Sequence, residues 1–66
     1  MNDITWRSME DDETWDLLVK FPNNGVLVET EFCFDICIAD TIENNRRFGP
    51  YCTVLNEKVK RIAFFE

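Results

Sequence analysis

The chain has 66 residues, 45% of them hydrophobic and 14% aromatic, with 13 carboxylates against 7 Lys and Arg and a net charge of −6. This length allows one domain, 1–66, with a thin core, since a chain this small buries only roughly 60% of the surface it exposes when unfolded. His is absent, which removes the commonest general base and metal ligand, and no apolar run approaches the ~20 residues of a membrane span.

The first residues carry neither a basic end nor an apolar stretch of the signal type. Together with an odd number of cysteines (Cys33, Cys37 and Cys52), this predicts reduced thiols in the cytosol. Ile4 to Ser8 reads as a short strand with Ile4 and Trp6 on one face. The acidic run Glu10, Asp11, Asp12, Glu13 follows, and mutual repulsion predicts a solvated loop at Glu10 to Asp12.

Trp15, Leu17, Val19 and Phe21 alternate with Thr14, Asp16, Leu18 and Lys20, a period-two pattern that predicts a strand. Pro22-Asn23-Asn24-Gly25 then reads as a type I′ hairpin turn, because Asn-Gly supplies the positive φ that this turn needs. Placing Asn24-Gly25 at its centre pairs Phe21 with Val28, Val19 with Thr30, Leu17 with Phe32 and Trp15 with Phe34. The next segment alternates without a break from Val26 to Ile38. It reads as one long, bent strand with Val26, Val28, Thr30, Phe32, Phe34, Ile36 and Ile38 facing the core. Leu27, Glu29, Glu31, Cys33, Asp35 and Cys37 then share the outer face.

Asp40 as an N-cap, Glu43 three residues on, Arg46 and Arg47, and then Gly49-Pro50 match the start and stop signals of a brief helix near 41–48. Tyr51 to Leu55 reads as a strand, Leu55 to Val59 as a turn, and Val59 to Phe65 as a last strand with apolar groups on both faces. Such a strand is either covered on two sides or meets a partner. The expected fold is mainly β. It is a small, antiparallel, strongly bent sheet of four to five strands, an open barrel of the SH3-like kind, with one short helix; the alternative is an α+β sheet with the helix packed on one face.

No pattern here carries catalysis. A nucleophile beside a base and a phosphate-binding glycine loop are both missing. Cys33, Asp35 and Cys37 would project from one strand face, but i and i+4 on an extended strand lie roughly 13 Å apart, too far for one metal ion or a disulfide. No enzyme activity, cofactor or metal is expected. Charge is divided: residues 1–45 carry eleven acids and two bases, net −9, whereas 46–66 carry two acids and five bases, net +3. Arg46, Arg47, Lys58, Lys60 and Arg61 suggest phosphate tracking, but the acidic remainder opposes it, so direct nucleic-acid binding is not expected.

The chemistry that remains is protein–protein contact. Glu10, Asp11, Asp12, Glu13 and Asp16 form one acidic group. Glu29, Glu31 and Asp35 are expected in a row on the outer sheet face, about 7 Å apart, a spacing that coarsely matches phosphates along a nucleic acid strand. These eight carboxylates are the candidate partner-binding residues. They point to a small acidic inhibitor that occludes the basic surface of a larger nucleic-acid-binding protein. In size and charge the chain is like anti-restriction and anti-CRISPR inhibitors of phages and mobile elements, although no motif carries that likeness. The alternative is a self-associating regulatory or structural subunit, so monomer and homodimer both remain open.

Overall fold

The computed structural model describes residues 4–65. In chain order the elements are β1 (Ile4–Ser8), α1 (Asp12–Lys20), β2 (Gly25–Thr30), β3 (Phe34–Ile38), a 3-10 turn (Ala39–Thr41), β4 (Ile42–Asn45), β5 (Gly49–Cys52) and β6 (Glu57–Phe65). All pairings are antiparallel, in the order β3-β2-β6-β5-β4, with β1 joined to β6. The mainly-β, strongly curled half-barrel sheet expected from the sequence is thus present, with one short helix. Several elements within it differ from the sequence reading, each for a local reason.

The segment expected to run from an acidic loop into a strand is the helix α1. Its residues satisfy two periods at once. Thr14 and Leu18 are buried, and Trp15 and Leu17 are half-buried beside them, which is one helical face. The acidic run decides between the two periods. Asp11 is the N-cap, and its side chain accepts a hydrogen bond from the Glu13 N–H at 3.0 Å. Asp12 and Glu13 sit in the first turn, where the helix dipole favours negative charge. Two side chains bolt α1 to the preceding chain: Thr14 Oγ1 donates to the Ser8 carbonyl and Trp15 Nε1 donates to the Met9 carbonyl, both at 2.8 Å. Asn24-Gly25 therefore joins a helix to a strand, and the hairpin of Trp15–Phe21 with Val28–Phe34 does not form.

The long strand expected from Val26 to Ile38 is folded in two. Thr30 Oγ1 accepts from the N–H groups of Phe32 and Cys33, each at 3.1 Å, and donates to Glu57 Oε1 at 3.0 Å. This side-chain turn reverses the chain across residues 31–33 without glycine or proline. It sets the register Val26↔Cys37, Leu27↔Ile36 and Val28↔Asp35. Cys37 therefore shares the core face with Val26 and Val28, and Phe34, Ile36 and Ile38 turn outward.

The expected helix near 41–48 is the β4–β5 hairpin, with Asn45 opposite Gly49. Asn45 Oδ1 accepts from the Arg47 and Phe48 N–H groups at 2.8 and 3.0 Å, and Gly49 has φ +78°. Asn and Gly end helices, but they also build tight reversals. Here the reversal wins, because Ile42 and Cys52 are both buried in the hairpin register.

β6 is the hub. It pairs with β2 along one edge and with β1 and β5 along the other. The register shifts between Glu29↔Arg61 and Thr30↔Val59, a bulge that adds one residue to β6 and lets the sheet curl. The core comprises Met9, Leu18, Val26, Val28, Cys37, Ala39, Ile42, Cys52, Val59 and Ile62, with Trp15, Leu55 and Phe64 packed against it. No described helix is long and apolar enough to cross a membrane.

Candidate interaction surface

Alternation along β3, β2, β6 and β1 puts half of their side chains into the core. The other half stand on one outer face. Across that face the register brings together Ile36, Leu27, Ala63 and Trp6 in one row. Ile38 stands beside Gly25, and Phe65 beside Ile4, at one end; Phe34, Glu29 and Arg61 line the other. Within the row Leu27 and Trp6 are half-buried and Ala63 is covered, but five large apolar groups of the face are open to solvent: Phe34 is 61% exposed, Ile36 62%, Ile38 52%, Ile4 48% and Phe65 45%. Burying an apolar group stabilises by about 25 cal/mol per Å², so leaving these five groups uncovered has an energetic cost in water.

The one ion pair on this face, Arg61 with Glu29, is internally neutral. The Arg61 guanidinium lies 3.9 Å from the centre of the Trp6 ring, and Trp6 meets Phe34 in a tilted aromatic contact with centroids 6.1 Å apart. Aromatic rings thus lean over the pair, and the Glu29 side chain is only 17% exposed. The charge is absorbed within an apolar surface.

The candidate acidic residues do not form one surface. Glu10, Asp11, Asp12, Glu13 and Asp16 are all exposed around the start of α1. Within that group Asp11 is engaged as the helix cap, which contributes to folding, and Glu13 lies 3.7 Å from Arg7 in a pair open to solvent on the carboxylate side. The expected row of Glu29, Glu31 and Asp35 is broken by the turn at 31–33. Glu29 is on the outer face, Glu31 is in the turn, and Asp35 lies opposite Val28 on the other side of the sheet. The Asp35 carboxylate accepts from the Ile36 N–H at 2.8 Å.

The cysteines are likewise divided. Cys33 is exposed, whereas Cys37 and Cys52 are buried with their sulfurs 3.7 Å apart. Burial, then the hydrogen bond with Cys52, push the Cys37 thiol up to about 12, so it stays protonated and unreactive. The basic residues of the last third do not make one track either, because Arg61 is taken by Glu29. Arg47 and Lys58 instead flank the Phe48 ring at 5.5 and 5.9 Å, beside the stacked Tyr51. That corner holds a shallow groove of about 370 Å³ whose lining includes Glu31, Phe48, Tyr51, Glu57 and Lys58, a mixture of both charges.

The outer apolar face was hidden in the sequence by the turn at Thr30. Once Phe34, Ile36 and Ile38 are read as outward, the two-sided pattern of β6 falls into place, since Ala63 and Phe65 stand on that same outer face. No protein-family model matches the chain, and no curated protein or solved structure is significantly similar to it.

Proposed function

We propose that this chain is a small, non-catalytic binding protein and that the outer face of the β3-β2-β6-β1 sheet is its contact surface. The observation that carries this reading is the exposure of Phe34, Ile36, Ile38, Ile4 and Phe65 on one continuous face of a chain whose net charge is −6. Isolated apolar residues on a surface are ordinary, but a contiguous patch marks a place where another molecule sits. The face combines aromatic anchors, β-branched residues and one neutralised Arg, the composition found at the centre of protein interfaces.

The test is dye binding by the folded chain at high dilution. Wild type binds anilinonaphthalene sulfonate with an unchanged near-UV spectrum, and the double variant Phe34→Lys/Ile36→Lys stays folded and loses the dye. A folded, monomeric wild type that binds no dye overturns the reading.

A second reading is favoured by the exposed acids at the start of α1. In it Glu10, Asp12 and Asp16, with Asp11 and Glu13, meet a basic, nucleic-acid-binding protein in the cytosol of a host cell and occlude its surface, as anti-restriction and anti-CRISPR inhibitors of phages do. Reversal of Glu10, Asp12 and Asp16 to Lys then abolishes salt-sensitive capture of such a protein while the fold persists. Unchanged capture contradicts it.

A further inference from the structure

We propose that the occupant of the outer face is a second copy of this chain, packed sheet against sheet across a two-fold axis. The proposal rests on the reading of that face as a contact surface and names what covers it.

Area is the first argument. A fully exposed aromatic side chain presents ~150–250 Å² and Ile somewhat less, so the exposed fractions of Ile4, Phe34, Ile36, Ile38 and Phe65 leave roughly 500 Å² of apolar surface. Specific interfaces of standard size bury about 800 Å² per partner, and the half-buried Trp6 and Leu27 with a polar rim that includes Arg61 supply the difference. Among the described residues nothing is laid on this face, because the nine-residue helix α1 sends Leu18 and Trp15 to the core on the other side. Small folds commonly complete a thin core by oligomerising.

Charge is the second argument. Arg61 and Glu29 cancel on the face, so a basic partner gains nothing there and is drawn instead to the acids at α1. A copy meets a neutral surface like its own. At physiological salt the acids of α1 are screened beyond about 8 Å, and they lie across the sheet from the contact.

Shape is the third. Gly25 leaves a step on this face beside the large side chains of β3, whereas Ala63, further along β6, is fully covered by its neighbours. A two-fold places the β3 side chains of each copy over the open position at Gly25 of the other, and two such sheets pack about 10 Å apart. Pairing of β3 edge to edge is the competing geometry. It is opposed by Asp35, whose carboxylate already takes the Ile36 N–H that such pairing needs.

Sedimentation equilibrium of the full chain tests this, with the dye assay run on the same samples. The wild type is expected at twice its 7.9 kDa mass, and the dimer is expected to persist in 1 M NaCl. Phe34→Lys/Ile36→Lys, on β3, and Ile4→Lys/Phe65→Lys, on the opposite side of the face, each weaken dimerisation by at least about a hundredfold, since each large apolar group is worth more than a tenfold factor. Folding of each variant is verified by circular dichroism. If the Ile4→Lys/Phe65→Lys variant fails to fold, the single variant Ile4→Lys replaces it; if the β3 variant fails, the Ile4→Lys/Phe65→Lys variant and the salt series decide. A dimer lost only in the β3 variant means edge pairing and overturns the proposal. A dimer dissolved by salt means pairing of the acidic and basic halves and overturns it as well, as does a dimer indifferent to both variants. A monomeric wild type that binds dye on this face overturns the dimer but keeps the contact surface. A monomer that binds none removes both.

Discussion

Replacing Thr30 with Val removes one oxygen and keeps the shape of the side chain. That oxygen accepts from the Phe32 and Cys33 amides and donates to Glu57, while Thr30 itself is 4% exposed. A hydrogen bond contributes about 0.5–1.5 kcal/mol net. Phe32 and Cys33 are exposed, so water takes over part of what their amides lose. The bond to the Glu57 carboxylate is charge-assisted and is not replaced in the same way. Together these give a loss of about 1–3 kcal/mol, a large share of the stability of so small a domain. In urea, with m near ~1 kcal/mol/M, the midpoint drops by about 1–3 M. Fluorescence of Trp6 and Trp15 reports the transition, and Thr30→Ser, which keeps the oxygen, recovers most of the loss. Amide exchange at Phe32 and Cys33 accelerates in the valine variant. A midpoint within about 0.3 M of wild type contradicts the claim that Thr30 makes the turn, and with it the reason why Phe34, Ile36 and Ile38 face outward.

Asp11→Ala removes the cap of α1 and lowers stability by about 0.5–2 kcal/mol, whereas Glu10→Ala and Asp16→Ala change it by less than about 0.5 kcal/mol; equal effects in urea melts contradict the capping role. Iodoacetamide at pH 8 alkylates Cys33 in the native chain and leaves Cys37 and Cys52 untouched until urea unfolds it; mass spectrometry that finds all three modified under native conditions refutes their burial. The Cys37 thiol is held protonated in the fold up to about 12 against 9.0 when free, so the folded state binds the extra proton. Stability from this group is intact below pH 9 and declines as pH rises towards 12, and a Cys37→Ala variant shows a flatter decline over that window. Identical slopes in the two proteins contradict it.

β1, β6 and the curled β sheet were legible from alternation, because residues 4–8 and 59–65 each carry a period-two pattern that the sheet uses directly. The acidic run at 10–13 suggests mutual repulsion and a loop. It is a helix N-terminus, where an N-cap and a first turn of acids are favourable, and the strand-like alternation of Trp15 to Phe21 overlapped with the helical face of Thr14, Trp15 and Leu18. The turn at 31–33 left no glycine or proline to mark it, since a threonine hydroxyl does the work of a special φ. Asn45 and Gly49 are stop signals for a helix and building residues for a hairpin alike. A row of Glu29, Glu31 and Asp35 presumes one unbroken strand, and the turn separates Glu29 from Asp35. The apolar face depends on that same turn, which is why sequence periodicity placed its residues in the core.

The central claim is that the outer face is covered in the working form of the protein. Methyl NMR with a soluble nitroxide measures this directly, because a methyl group buried in a contact escapes relaxation by the probe. Val19 and Val54, 78% and 68% exposed and away from the face, serve as internal references. As protein concentration rises, the Ile4, Ile36 and Ile38 methyls become protected while Val19 and Val54 remain relaxed. Ile4, Ile36 and Ile38 methyls that relax as strongly as Val19 and Val54 at every concentration contradict the account.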